Sequence, residues 1–188
     1  MKGSDYIVAD TETGGTNCEE NPLLEVALVL IDRKTFKEKD RLELLIKPYD
    51  DLKIDRKALQ INGLKISELE ENGEKKKDAH KKIVAFFKKA NPSSANSRFT
   101  RPIIVAHNAP FDLGYFEAFF KANNDNLYNY IMEQFVCTQL ESKKLEEFES
   151  LQLGAICEKV GIELTGAHRA MNDTLATVKL FKYLTERA

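Results

Sequence analysis

Two acidic residues stand at the end of the first apolar run of the sequence. The stretch "IVADTET" carries Asp10 and Glu12 with one residue between them. Side chains alternate between the faces of a strand, so these two carboxylates lie on one face, roughly 7 Å apart along the chain. Like charges this close disfavour each other's ionisation. A pair held in this way predicts a cation bound between the two carboxylates.

Two further acidic residues have positions that bring them to the same place. Asp112 is predicted in the first turn of a helix that follows a buried strand, and Asp173 opens the last helix on its core-facing side. Four converging carboxylates are tolerable only with cations, and hard oxygen ligands suit Mg²⁺ or Mn²⁺. Two such ions roughly 4 Å apart are suited to cleaving a phosphodiester bond.

A histidine in the loop "TGAHRAMN" completes the predicted site. His168 precedes Asp173 by five residues, and Gly166 allows this loop to approach a ligand closely. A neutral imidazole at this position can accept a proton from an attacking water. Taken singly, each acidic residue has a simpler interpretation, as a solvated turn or as a partner of a helix dipole. The ordered set of five favours the catalytic interpretation.

The hydrophobic pattern predicts five strands and several helices around this site. Three meander strands come first, and alternating helices and strands follow, which predicts a mixed sheet with helices packed on it. Asn172 is predicted to cap the last helix. The predicted strands are 5–11, 23–31, 40–48, 102–106 and 135–138, and the predicted helices are 55–60, 64–71, 74–90, 110–122, 151–161 and 172–187.

Length, charge and cysteine usage limit the classes of protein that fit. The 188 residues predict one domain, 1–188, and the net charge of −2 argues against broad wrapping of duplex nucleic acid. No apolar run is long enough for a membrane span, and the first strand leaves no room for a signal peptide. The three cysteines (Cys18, Cys137 and Cys157) are scattered, which predicts reduced thiols in a cytoplasmic protein.

Three segments together resemble the DnaQ-like 3′–5′ exonuclease family, in its Asp-Glu-Asp-Asp group of the histidine type. These segments are "VADTETGG", "VAHNAPFD" and "AHRAMND", in the family's order and across nearly the whole chain. The resemblance implies a ribonuclease H-like α/β fold with a central five-stranded mixed sheet flanked by helices. It assigns binding of two divalent cations to Asp10, Glu12, Asp112 and Asp173, and the general-base role to His168.

The resemblance also implies a substrate and partners. The expected reaction removes nucleoside 5′-monophosphates from the 3′ end of single-stranded RNA or DNA, with Thr13, Asn108, Phe111 and Arg169 as candidate substrate contacts. Core packing is the competing interpretation of Phe111. The segments "ETGG", "LLEVA" and "INGL" are closer to the ribonuclease T group than to polymerase proofreading subunits. This likeness implies a homodimer.

Two alternatives stay open at this point. The first is a proofreading subunit of a DNA polymerase. Two features argue against it: the proofreading group usually has a histidine where this chain has Asn62, and it usually carries a C-terminal tail, whereas this chain ends at Ala188. The second is a catalytically idle interaction module with the same fold. The intact acidic set argues against that module.

Overall fold

A five-stranded mixed sheet forms the centre of the computed structural model, which describes residues 5–91, 100–166 and 169–187. The strands are β1 (Tyr6–Thr13), β2 (Leu23–Ile31), β3 (Glu38–Leu45), β4 (Ile103–Ala106) and β5 (Phe135–Cys137). Their order in the sheet is β3-β2-β1-β4-β5. The first three pair antiparallel, and β1, β4 and β5 pair parallel. The predicted α/β fold with a mixed five-stranded sheet is confirmed.

Helices follow the strands in the order that the sequence predicted, with one addition. Residues 138–144 form a helix that the sequence did not predict. The helices are α1 (Arg56–Asn62), α2 (Ile66–Asn72), α3 (Lys76–Ala90), α4 (Ala109–Ala122), α5 (Thr138–Lys144), α6 (Leu153–Val160) and α7 (Ala170–Thr185), with a 3₁₀ turn at Leu127–Asn129.

The two faces of the sheet bury different sets of helices. Alternate residues of β1 point to opposite faces. Ile7 and Ala9 lie in the apolar cluster that contains the inner faces of α3 and α4, whereas Val8 lies in the cluster that contains Ala170 and Phe181 of α7. All nine residues of β2 are buried, as expected for a strand covered on both faces.

The last helix begins earlier than predicted, and Asn172 is not its cap. Arg169 occupies the N-cap position, and Ala170 is the first helical residue. The Asn172 side chain instead donates a hydrogen bond to the carbonyl of Gly166 at 2.9 Å. The earlier start follows from packing, because Ala170 and Met171 are buried against the sheet.

The carboxyl end of β1 extends past its parallel neighbour. The pairing with β4 covers only Tyr6–Val8, and the pairing with β2 continues to the end of β1. Beyond Val8, β1 therefore has no strand partner on its β4 side, at the point where the sheet changes from antiparallel to parallel. Open α/β sheets place their sites at such points.

Candidate active site

Asp10 and Glu12 lie inside β1, on the face that α7 covers. The sequence predicted a strand that ends near them, but β1 continues to Thr13 because β2 pairs with it throughout. Asp10 lies opposite Ala27, and Glu12 lies opposite Glu25. Directly opposite residues of an antiparallel pair share a face. The small side chain of Ala27 therefore leaves space beside Asp10, and a second carboxylate stands beside Glu12.

Asp173 reaches the same face from the first turn of α7. Carboxylate oxygens of Asp10, Glu12 and Asp173, one from each residue, lie within 4.8 Å of one another, and all three side chains are half-buried. The packing of α7 on β1 and β2 brings these residues together across more than 160 positions of sequence. Three of the four predicted carboxylates therefore form a compact group.

Asp112 approaches from the opposite face of the sheet. It lies in the first turn of α4, is 2% exposed, and accepts a hydrogen bond from the Thr11 hydroxyl at 2.7 Å. Thr11 points to the α4 face because it alternates with Asp10 and Glu12. Asp112 is the neighbour that most strongly raises the pKa of Asp10, although it is not part of the group whose oxygens lie within 4.8 Å of one another.

The crowding of these acids perturbs their protonation. Burial raises the pKa of Asp10 well above its usual range, and Asp112, Glu12 and Asp173 raise it further. Burial, followed by the charge of Glu25, raises the pKa of Glu12 to about 8. Burial raises the pKa of Asp112 to about 7, against the opposing hydrogen bond from Thr11. Without cations, these carboxyl groups retain protons that isolated ones would lose.

The donor set fits divalent metal ions. All the grouped ligand atoms are carboxylate oxygens, which hard divalent cations prefer, and positive charge between them relieves the repulsion that raises their pKa values. Oxygens within 4.8 Å of one another are close enough to bind one ion at 2.0–2.6 Å each. Divalent metal use is therefore the chemistry that this site supports.

A fifth carboxylate belongs to the site and was not among the residues predicted from the sequence. Glu25 is fully buried on β2, and its Oε1 accepts a hydrogen bond from Nη2 of Arg169 at 3.3 Å. Its signal in the sequence is a single acidic residue in the otherwise apolar run "LLEVALVLI". Knowledge of the antiparallel register, which places Glu25 opposite Glu12, would have been needed to assign Glu25 to the site.

The four candidate substrate contacts have different surroundings. The Thr13 hydroxyl donates to the carbonyl of Gly15 at 2.6 Å, and Asn108 is exposed, with φ at 68°, at the start of α4. The ring of Phe111 contacts Tyr115, with centroids 5.0 Å apart, and packs against the main apolar cluster. Arg169 is held by Glu25 but remains 44% exposed. The roles of these residues stay predictions.

Two histidines belong to the segments that form the site. His168 lies outside the described residues, so its general-base role stays a prediction. His107 follows β4, and its ring nitrogens lie 3.0 Å from Oγ1 of Thr138 and 2.8 Å from the carbonyl oxygen of Leu151. Burial lowers its pKa. Because both ring nitrogens have partners, His107 joins the end of β4 to α5 and to the loop before α6.

The described part of the chain contains no helix that is both long enough and apolar enough to span a membrane.

Solved structures with the same fold include exonuclease I of Escherichia coli. The structure of that enzyme in complex with a dT13 oligonucleotide matches with a TM-score of 0.80 and 22% sequence identity. The match covers 98% of the present chain and 41% of that chain, so the present chain spans about two fifths of exonuclease I. A zinc-bound complex of the same enzyme with single-stranded DNA matches with a TM-score of 0.82. At this identity the likeness shows the fold.

Sequence relatives point to one family. Ribonuclease T of Shewanella oneidensis is 29% identical over all of this chain and 84% of its own length, and ribonuclease T of Buchnera aphidicola subsp. Baizongia pistaciae is 26% identical over 96% and 83%. The RNase_T family model, described as an exonuclease, matches residues 7–181. The predicted enzyme class, a DnaQ-like 3′–5′ exonuclease, is thus confirmed, and the idle-module alternative is set aside. The chain belongs to the RNase_T exonuclease family.

Proposed function

We propose that the protein removes nucleoside 5′-monophosphates from the 3′ ends of single-stranded nucleic acid, with two divalent cations, Mg²⁺ or Mn²⁺. The observation that carries this proposal is the group formed by Asp10, Glu12 and Asp173, whose oxygens lie within 4.8 Å of one another. The relatives named ribonuclease T support the substrate class, as do the solved complexes of exonuclease I with single-stranded DNA.

In this proposal, Asp10, Glu12, Asp112 and Asp173 hold the cations. When bound, the ions polarise the scissile phosphodiester and stabilise the charge that develops on the leaving 3′-oxygen. Asp10 belongs to the group with Glu12 and Asp173, and Asp112 is the neighbour that raises its pKa most, so Asp10 would take part in holding the cations together with all three. His168 accepts the proton of the attacking water.

Substrate positioning is assigned to residues around the strand end. Arg169 stands beside the acidic group with its guanidinium partly exposed, which suits a contact to a phosphate oxygen. Asn108 and Phe111 flank the start of α4, close to Asp112, and Thr13 ends β1. An exonuclease that grips a few nucleotides at one end is consistent with a net charge of −2.

The test uses matched single-stranded RNA and DNA oligonucleotides labelled at the 5′ end. With Mg²⁺ or Mn²⁺, the label should remain on products that shorten stepwise from the 3′ end, and EDTA should stop the reaction. Asp10→Asn should abolish shortening, whereas Glu133→Gln changes an exposed carboxylate at the opposite end of the sheet and should be as active as wild type. Internal cuts as first products, or activity in EDTA, would refute the proposal.

Three further expectations belong to the same proposal. The likeness to the ribonuclease T relatives supports a homodimer, which sedimentation equilibrium would detect. Asn62, where the proofreading group usually has a histidine, argues against stable association with a polymerase, which a pull-down would test. The cysteine usage supports a cytoplasmic location, which fractionation would test.

A further inference from the structure

Glu25 occupies an unusual position for a charged residue. It is fully buried in a strand whose other residues are all apolar or alanine, and the strand is covered on both faces. Removing a carboxylate from water is costly unless it is paired. Within the described residues, Oε2 of Glu25 has no hydrogen-bond partner, so the pairing is incomplete. A role in stability alone does not explain why a carboxylate stands here.

The partners of Glu25 all lie at the start of α7. Nη2 of Arg169 donates to its Oε1, and the backbone N–H of Ala170 acts as a further donor that lowers the pKa of Glu25 against the rise caused by burial. Arg169 is the N-cap of α7, and its carbonyl accepts the hydrogen bond of the Asp173 backbone N–H at 3.2 Å. Glu25 is thus connected to Asp173 through a single helical turn.

We infer that Glu25 is a positioning residue, which holds the first turn of α7 against β2 so that Asp173 faces Asp10 and Glu12. The inference rests on the proposed function, because it assigns Asp173 to cation binding. Glu25 acts through Arg169 and Ala170 and does not itself need to contact a cation. Replacing a residue that orients a metal ligand without contacting the metal typically lowers metal affinity or activity about 10–100-fold.

If Glu25 acted only through its charge, two variants would behave differently from what positioning predicts. Glu25→Asp keeps the charge but shortens the side chain by one methylene, so it loses reach to α7. Arg169→Gln removes a positive charge beside the carboxylates, which by charge alone should tighten cation binding. Positioning predicts weaker binding in both variants, because both lose the hydrogen bond that joins Glu25 on β2 to Arg169 at the start of α7.

Glu43→Gln serves as the control. Glu43 lies opposite Ala27 on β3, on the same face of the sheet, and its charge raises the pKa of Glu25. It is exposed, and within the described residues it has no hydrogen bond to α7. Its removal changes the nearby charge by one unit and should alter cation affinity less than about 3-fold.

The experiment measures Mn²⁺ binding to the full chain by titration calorimetry without substrate, and then kcat and KM on a single-stranded oligonucleotide at increasing Mn²⁺. We expect Glu25→Asp and Arg169→Gln to bind Mn²⁺ about 10–100-fold more weakly than wild type. The kcat of Glu25→Asp should rise toward the wild-type value as Mn²⁺ saturates, whereas Arg169→Gln also loses the proposed phosphate contact and is judged by its Mn²⁺ affinity alone. A residue that only stabilised the fold would lower the melting temperature without changing Mn²⁺ affinity in the folded protein.

The outcomes separate this inference from the proposed function. Wild-type affinity in Glu25→Asp, or equal or tighter binding in Arg169→Gln, overturns the positioning role while wild-type activity stands. A wild-type protein that binds no Mn²⁺ and leaves 3′ ends intact overturns the proposed function itself. Circular dichroism establishes that each variant is folded, and if Glu25→Asp does not fold, Arg169→Gln decides alone, since its side chain is 44% exposed.

Discussion

Replacing Glu12 by glutamine should stabilise the metal-free protein in a manner that depends on pH. The pKa of Glu12 is raised from 4.5 to about 8 in the folded chain, first by burial and then by Glu25, Asp173 and Asp112. A raised pKa means that the folded state binds a proton that the unfolded state releases. This stability contribution is therefore present below pH 4.5 and is lost as the pH rises through 8.

The magnitude follows from the size of the shift. Each pKa unit corresponds to 1.36 kcal/mol, so the ionisation of Glu12 destabilises the folded state at pH 7 by roughly 3 kcal/mol relative to low pH. Relaxation of neighbouring groups reduces this figure. Glutamine is uncharged at every pH and avoids the loss. We expect Glu12→Gln to raise the free energy of unfolding at pH 7 by about 1–3 kcal/mol, and the difference from wild type to vanish near pH 4.5.

Bound cations should reduce the stability difference between Glu12→Gln and wild type. At a concentration about 100 times its dissociation constant, an ion that binds only the folded state stabilises wild type by about 2.7 kcal/mol. A variant whose affinity is about 100-fold weaker gains only about 0.4 kcal/mol at the same concentration. Saturating Mn²⁺ should therefore cancel most of the advantage of Glu12→Gln or reverse it.

The assay is guanidinium denaturation followed by circular dichroism, in EDTA at pH 5, 6, 7 and 8 and again with Mn²⁺. Glu133→Gln is the matched control, because it removes an exposed carboxylate at the far end of the sheet and should change stability by less than about 0.5 kcal/mol. A Glu12→Gln protein that is less stable than wild type at pH 7 in EDTA, or a difference that does not vary with pH, would refute this reasoning.

Three further predictions concern individual contacts. Thr11→Val removes the hydroxyl that donates to Asp112 at 2.7 Å, so the free energy of unfolding should fall by about 1–3 kcal/mol. Steady-state kinetics should show a lower kcat with little change in KM. Asp112→Asn keeps an acceptor for Thr11 but removes a charge that is buried, so unfolding experiments should show higher metal-free stability at pH 8, with hydrolysis strongly reduced. His168→Gln should lower turnover by roughly 10²–10⁴-fold while calorimetry shows unchanged Mn²⁺ affinity; near wild-type turnover would exclude the general-base role.

Most of the fold was predictable because its core elements have strong apolar patterns. The strand Leu23–Ile31 has the bounds that the sequence predicted, since nine buried residues in a row leave no ambiguity. The helix Thr138–Lys144 was missed for the opposite reason. Its buried residues are Thr138 and Ser142, one turn apart, so no apolar periodicity marks it. In the structure this helix packs against α7 and β5.

The site was predictable where it depends on strand alternation and less so where it depends on register. Asp10 and Glu12 had to share a face once β1 was a strand. The neighbour of Glu12 across the sheet depends on the pairing of β1 with β2, and that pairing brings in Glu25. A shift of one residue would have placed Glu25 on the opposite face. The sequence alone left that choice open.

The register also explains how a single arginine serves two purposes. Glu12 and Glu25 stand side by side, and the charge of Arg169 lowers the pKa of both. Arg169 can reach both because α7 begins two residues earlier than predicted, which places it at the N-cap beside β2. Since its hydrogen bond goes to Glu25, Glu12 keeps its carboxylate oxygens available for a cation. The buried Glu25 therefore restrains Arg169, the basic side chain that lowers the pKa of Glu12, and keeps its hydrogen bond away from Glu12.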